Sequence, residues 1–159
     1  MTEDVGDDLL QKLIKDLNAV PGKFWIDRKG ALEKLVAMGP KAAPALKYVI
    51  NYVEGDPGFG VSDKYRLLAV RVFASVGLAA MEQIPVLTKL LDGRREYNWK
   101  AAAAIALAIW AINPPGEQVP DTVAALKRAT DSQKASFLGR SDELGMKCCA
   151  AVALHRMGV

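Results

Sequence analysis

Apolar residues recur along almost the whole chain at the spacing of an amphipathic α-helix. Leu9, Leu10, Leu13, Ile14 and Leu17, for example, follow the pattern i, i+1, i+4, i+5, i+8, which places them on one stripe of a helix. No segment of the sequence alternates apolar and polar residues between hairpin-type turns. The spacing therefore predicts an all-α fold of eight helices, at about 7–19, 27–38, 41–54, 63–76, 79–91, 96–112, 119–130 and 143–157.

Glycine and proline separate these predicted helices. The breakers include Pro21-Gly22, Gly39-Pro40, Gly77, Asp92-Gly93 and Asn113-Pro114-Pro115-Gly116. Because such residues commonly end helices, we expect a turn at each of these positions.

The second helices of successive pairs share a sequence pattern. Residues 99–107 align with residues 146–154, with five identities in nine positions, and a shift of 34 residues brings 65–70 into the same frame. A repeated pattern of this length is typical of stacked helix pairs. Three columns result: basic Arg28, Arg66, Lys100 and Lys147; small Ala31, Ala69, Ala103 and Ala150; and large apolar Leu35, Phe73, Leu107 and Leu154.

These residues resemble HEAT repeats of the bacterial type, also called phycobilisome-lyase-like repeats, in the armadillo-type helical superfamily. The resemblance rests on residues 39–46, 66–77, 84–92 and 100–111 and covers about 24–159. It implies a right-handed α-α superhelix, a solenoid of about four helix pairs. The single domain would span 1–159, with units at about 7–39, 40–77, 78–113 and 117–159. Two segments depart from the family pattern: Asn113-Pro114-Pro115-Gly116 and the long loop from Asp131 to Ser141.

The resemblance also implies roles for the basic column and for the second helices. In HEAT repeats the basic position commonly pairs with an acidic residue that ends the first helix, and the candidates here are Asp56, Asp92 and Asp131. A structural role is therefore expected for Arg28, Arg66, Lys100 and Lys147. The second helices would line a concave face that forms an elongated groove for a partner.

The helix from Trp99 to Ile112 is apolar almost all round after Lys100. Two of its residues, Ile105 and Ile109, align with positions that are polar in the preceding unit. Flanking units or a loop would bury the two isoleucines in one interpretation. In the other they belong to an exposed apolar patch that binds a helix or peptide. The sequence leaves both open.

Loop insertions at 55–62, 93–98 and 131–142 fall at one edge of the predicted array. Aromatic and basic residues are interleaved there, an arrangement that can bind phosphates and stack bases. A nucleic-acid-binding module, similar to HEAT-like DNA glycosylases and using Arg66, Arg71 and Lys100, is therefore one alternative. The balanced charges of residues 131–147 weaken it. The candidate partner-binding residues of edge and groove together are Tyr65, Arg94, Arg95, Tyr97, Trp99, Ile105 and Ile109.

Composition excludes several classes of protein. The 159 residues carry a net charge of +3, which is far from strongly basic. With one histidine and two adjacent cysteines, Cys148 and Cys149, the sequence offers no metal-binding pattern and no catalytic constellation. We therefore expect no enzyme activity and no cofactor. No run of 18 apolar residues and no secretory signal occur, so we expect a cytoplasmic protein without a membrane span.

The function favoured by the sequence is a non-catalytic scaffold or adaptor that binds a protein partner through the groove and the loop edge. Two alternatives stay open, the nucleic-acid-binding module and an accessory subunit of a phycobilin-lyase-like system. Solenoids need polar caps, and the sequence stops at residues 157–159, within the end of a repeat and without a polar capping helix. A homodimer through the C-terminal helix is therefore also expected to be possible.

Overall fold

A computed structural model describes residues 4–18, 27–54, 63–94, 99–131 and 140–159. Those residues form helices and connecting turns and include no β-strand, which confirms the all-α prediction. The α-helical stretches are α1 (Asp4–Asn18), α2 (Arg28–Met38), α3 (Leu46–Glu54), α4 (Asp63–Val76), α5 (Ile84–Arg94), α6 (Trp99–Ile112), α7 (Pro120–Thr130) and α8 (Arg140–Arg156).

These stretches lie in six continuous helical segments, so the prediction of eight separate helices is wrong. Two 3₁₀ segments, Gly39–Ala45 and Gly77–Gln83, join α2 to α3 and α4 to α5. Gly39 and Gly77 adopt φ angles of +58° and +60°, a left-handed conformation that glycine reaches without strain. The α-helical hydrogen bonding stops there, but the chain continues directly in the tighter 3₁₀ turns. The glycines therefore redirect the helices without breaking the helical segment.

The helices pack in two layers. The even layer consists of α2, α4, α6 and α8, and each of these helices packs against the next one in that order. The odd layer consists of α1, α3, α5 and α7, which also contact one another in order. Each odd helix packs against the even helix that follows it. The core lies between the layers, with Leu13, Leu35, Phe73, Leu87 and Leu126 among its fully or almost fully buried side chains.

Burial in α6 differs by one residue from the predicted repeat columns. Ala103 and Leu107, the predicted inward positions, are only half-buried, whereas Ala102 and Ala106 are fully buried. In α2, α4 and α8 the predicted inward residues are buried as expected. The predicted columns are therefore correct in the first, second and fourth units and wrong in the third unit, which contains α6. Because every side chain from 101 to 112 is apolar, the sequence of α6 carries no polar face to fix its rotation.

The connection between α6 and α7 closes against the end of α8. The buried side chain of Asn113 donates hydrogen bonds to the carbonyls of Pro114 and Glu117, at 3.0 and 2.9 Å. Arg156 Nε donates to the Asn113 carbonyl at 2.8 Å, and the Gly116 amide donates to the Arg156 carbonyl at 2.8 Å. Hydrogen bonds from the turn at residues 113–116 therefore hold the end of α8 against the end of α6.

One segment within the described part of the chain, Lys64–Gly93, is long and apolar enough to cross a membrane by length and composition alone. Of its tested window, 39% is buried inside the protein, and the segment includes the core residues Phe73 and Leu87. Core helices pass the same test, so this finding does not indicate a location. The cytoplasmic expectation remains a prediction.

Candidate functional site

Ile105 and Ile109, the predicted groove contacts on α6, are fully buried. Their helix lies between α4 and α8 in the even layer and also packs against α5. Alanine residues at 101, 102, 104, 106 and 108 leave room for these neighbours to approach closely. The interpretation that the two isoleucines form an exposed patch is therefore wrong, and the burial interpretation is correct.

Among the predicted edge residues, Tyr65 packs within the fold. Its ring lies 6.4 Å from that of Tyr52, with the planes inclined by 50°, and its side chain is half-buried against the core. Arg95 and Tyr97 lie outside the described residues, and for Arg94 and Trp99 only the helical backbone is described. A contact between these four residues and a partner stays a prediction.

The predicted basic column holds half-buried side chains in three units. Arg28, Arg66 and Lys147 each have an interaction partner within the protein. The side chain of Lys100 lies outside the described part of α6. Because α6 is shifted by one residue, Trp99 aligns with Arg66 in the burial pattern, and Lys100 does not. The predicted column therefore changes at the third unit.

A cleft of about 390 Å³ lies between α5 and α7. On one side Asp92 accepts hydrogen bonds from Arg128 Nε and Nη2 at 2.9 and 2.6 Å, and this bonding raises the pKa of Arg128. On the other side the buried hydroxyls of Thr88 and Thr122 lie 2.8 Å apart and bond to each other. Each of these polar groups has its hydrogen-bond partner on the other helix, so the two contacts join α5 to α7.

Of the two other predicted acidic partners, Asp131 makes no ion pair with a described residue, and a pair with Asp56 stays a prediction. Asp56 lies outside the described residues, and Asp131 is an exposed residue at the end of α7. Asp92 does form an ion pair. Its partner is Arg128 of α7, the next helix of the odd layer.

The outer side of α4 carries exposed leucines that the sequence analysis did not select. Leu67, Arg71, Ala74 and Leu78 follow the spacing i, i+4, i+7, i+11 and are all exposed, Leu67 by 57% and Leu78 by 66%. Phe73, on the opposite side of the helix, is fully buried. Leu67, Arg71 and Ala74 therefore share the exposed side of α4, and Leu78 is exposed in the 3₁₀ segment that begins at Gly77.

The last helix repeats this arrangement. Cys148, Val152, His155 and Val159 have the same spacing and are exposed, Val152 by 47% and Val159 by 46%. Leu154, on the other side of α8, belongs to the core. Both α4 and α8 pack against α6, and Val159 lies beyond the end of α8, after Gly158.

Between α4 and α8 the outer surface of α6 combines small or half-buried residues with Trp110, which is 37% exposed. Ala104 is 5% exposed, and Leu107 and Ala111 are half-buried. We call this surface the groove: its centre is Leu107, Trp110 and Ala111 of α6, and α4 and α8 lie on either side.

The charged side chains described around the groove are basic, whereas α4 also contains Asp63 and α8 also contains Asp142 and Glu143 in their sequences. The described side chains of α4 (64–76), α6 (101–112) and α8 (147–159) include no carboxylate. At the centre of the α4 wall, Arg71 is exposed and makes no ion pair with a described residue. At the edge of the layer, Glu33 of α2 is bound to Lys29 at 2.9 Å, which raises the pKa of Lys29. The basic side chains of the three helices are Lys64, Arg66, Arg71, Lys147, His155 and Arg156.

The cysteines show no sign of activation. Cys149 is half-buried, and burial raises the pKa of its thiol, which disfavours the reactive thiolate. Cys148 is exposed in the α8 wall. No group of three metal-ligating side chains lies together in the part of the chain that the structure describes.

Comparison of the chain with protein-family models, curated proteins and solved structures finds no match. The geometry of the groove is therefore the basis for a functional proposal.

Proposed function

We propose that this chain is a small α-solenoid that binds a protein partner through the groove and catalyses no reaction. Two observations support the solenoid. Each helix of either layer packs against the next helix of that layer, and each odd helix packs against the following even one. This nearest-neighbour packing is typical of HEAT-like repeats. The right-handed superhelix, the four units and the cytoplasmic location belong to this proposal.

The exposure of leucine on the outer side of the even layer is the observation that carries the proposed function. Leu67 and Leu78 are each more than half exposed, Val152 is 47% exposed, and Leu107 is half-buried. Contiguous apolar patches on a protein surface typically mark interaction sites. The proposed contact surface therefore centres on these four residues, in place of Ile105 and Ile109. The loop edge around Arg94, Arg95, Tyr97 and Trp99 is its proposed extension.

An affinity capture from native lysate tests this proposal. The groove variant is Leu67→Asp/Leu78→Asp, in which both changes lie at exposed positions. Its matched control is Val86→Asp, an exposed apolar residue on α5 of the odd layer. Circular dichroism establishes that all three proteins are folded. We expect wild type and Val86→Asp to retain the same protein partner, and the groove variant to lose it.

Two results would contradict the proposal. If all three proteins retain the same partner, binding uses another surface. If nucleic acid is captured and is released by added salt, the alternative of a nucleic-acid-binding module is favoured.

A further inference from the structure

We propose that the cleft between α5 and α7 binds a small zwitterionic molecule with an aliphatic body, of which an aliphatic α-amino acid is the simplest example. Two features carry this inference. The cleft contains two opposite charges that form no ion pair with a described residue, and it contains hydrogen-bond donors that no described group accepts. The cleft lies in the odd layer, whereas the groove lies on the even layer. The inference therefore goes beyond the proposed function and does not depend on it.

The volume of the cleft suits a small molecule. Sites for small ligands typically measure about 300–1,000 Å³, and this cleft, at about 390 Å³, lies near the lower limit. Its apolar lining consists of Pro85, Val119 and Ala124. Its polar lining consists of Thr88, Lys89 and Asp92 from α5 and Asp121, Thr122 and Arg128 from α7. An aliphatic body would contact the apolar set, so the polar set specifies the head groups of the ligand.

The charges of the lining balance, but only two of them are paired with each other. Arg128 and Asp92 form an ion pair. Lys89 and Asp121 are exposed, and neither forms an ion pair with a described residue. Asp121 also acts electrostatically on Arg128, but more weakly than Asp92 does. A ligand with one charge would meet a group of the same sign, whereas a zwitterion would complement both Lys89 and Asp121.

The two buried hydroxyls of the cleft leave one proton without an acceptor. Thr88 and Thr122 are 8% and 1% exposed, and their hydroxyl oxygens lie 2.8 Å apart. Each hydroxyl carries one proton, and the bond between them uses only one of the two. No described group accepts the second proton. Because a buried donor without an acceptor costs free energy, this pair favours a ligand that brings an oxygen into the cleft.

The first turn of α7 adds two backbone donors. Its first residue is Pro120, which has no N–H, and Val119 provides no side-chain cap. The Val123 amide donates to the Val119 carbonyl, whereas the amides of Asp121 and Thr122 have no acceptor in the described structure. These donors and the helix dipole would stabilise an anionic group at this end of the cleft. We therefore assign the carboxylate of the ligand to the first turn of α7.

Three matched probes test this inference by amide chemical-shift titration of the isotopically labelled protein. Leucine carries both charges, leucinamide lacks the carboxylate, and isocaproate lacks the ammonium group. We expect leucine to shift the amides of Asp121 and Thr122 saturably. Leucine should bind about tenfold more tightly than either other probe, because each of those loses one charge-assisted contact.

Two variants separate the contributions of the two charges. In Lys89→Met, leucine and leucinamide should bind about equally, and leucine should still bind more tightly than isocaproate. In Asp121→Asn, leucine and isocaproate should bind about equally, and leucine should keep its advantage over leucinamide. Lys127→Met is the matched control, because Lys127 is an exposed lysine of α7 that does not line the cleft. None of the three replaced side chains forms an ion pair with a described residue, so circular dichroism should show wild-type folding in each variant.

Equal binding of the three probes by wild type, or shifts with leucine that do not saturate, would overturn the inference. An equal loss of leucine affinity in Lys127→Met and Lys89→Met would also overturn it, because the effect would then be one of net charge. If leucine fails to bind while capture of a protein still depends on Leu67 and Leu78, only this site is rejected. If leucine binds as expected while Leu67→Asp/Leu78→Asp retains the partner, only the proposed function is rejected.

Discussion

The Tyr52 hydroxyl is the most informative single group in the first half of the protein. It is buried and donates a hydrogen bond of 2.7 Å to the Leu17 carbonyl, which joins α3 to the last turn of α1. Burial raises the pKa of Tyr52 above its ordinary value. Because only the protonated Tyr52 hydroxyl can donate to the Leu17 carbonyl, the contact between α1 and α3 depends on the protonation of Tyr52.

Replacement of Tyr52 by phenylalanine should lower the free energy of unfolding at neutral pH by about 1 kcal/mol, because the Leu17 carbonyl loses its donor. The pH dependence has a definite sign. An unfolded tyrosine releases its proton near pH 10, whereas the folded state retains it, so this contribution is present below pH 10 and is lost as the pH rises through the higher folded value. Urea unfolding at several pH values measures both effects.

Tyr48→Phe is the control for this experiment. Tyr48 is half-buried one turn before Tyr52, and the ammonium of Lys47 lies 5.0 Å from the centre of its ring. Its replacement should leave the free energy of unfolding at neutral pH close to that of wild type. Equal losses in the two variants would show that the Tyr52 bond contributes no specific stability.

At the scale of single helices, the position of α8 depends on the polar contacts of Arg156 as well as on apolar packing. Arg156 donates to the Asn113 carbonyl at 2.8 Å, and its guanidinium lies 5.2 Å from the centre of the Trp110 ring. One side chain therefore joins the end of α8 to the end of α6 and to the loop that follows it.

Arg156→Met keeps much of the side-chain length but removes the hydrogen bond and the cation–π contact. We expect a loss of about 1–2 kcal/mol in the free energy of unfolding, the sum of the two interactions. Lys127→Met, at an exposed position on α7, should lose far less. Chemical denaturation of both variants measures the difference. If both variants lose the same free energy of unfolding, the contacts of Arg156 make no specific contribution to stability.

The buried side of a helix could be predicted from sequence where apolar residues occupy one side and polar residues the other. In α4 the alternation of Leu68, Phe73 and Arg71 around the helix fixes which side is buried, and the predicted column there is correct. The α6 sequence has no such contrast, and its rotation is set by the neighbours that pack around Ala102 and Ala106. That is why Ile105 and Ile109 were candidates for an exposed patch.

The groove was predictable only in part, for a related reason. The spacing of Leu67 and Leu78 with Arg71 is visible in the sequence, but apolar residues at helical spacing ordinarily indicate burial. Leu67 is exposed because Val72 and Phe73 fill the core on the opposite side of α4, whereas Leu78 lies in the 3₁₀ segment where the chain turns after Gly77. Which stripe of a broadly apolar helix stays outside is therefore a property of the packed layers.

At the scale of the whole molecule, packing is unequal between the middle and the end of the array. The central helix α6 packs against α3, α4, α5, α8 and the 3₁₀ segment Gly77–Gln83. At the N-terminal end, α1 packs mainly against α2, α3 and the 3₁₀ segment Gly39–Ala45. In a stack of repeats, stability is approximately a sum of unit and nearest-neighbour contributions. Local opening should therefore begin at α1.

Native-state hydrogen exchange tests this gradient. The amides of α6 should be protected nearly as strongly as global unfolding allows, and those of α1 should exchange through a smaller opening free energy. Leu13 is almost fully buried, and Leu13→Ala should reduce protection in α1 while leaving α6 close to wild type. Ile112→Ala, at a buried position of α6, should instead reduce protection in every helix. If Leu13→Ala lowers protection uniformly, the helices form one cooperative unit, and the nearest-neighbour description of this protein fails.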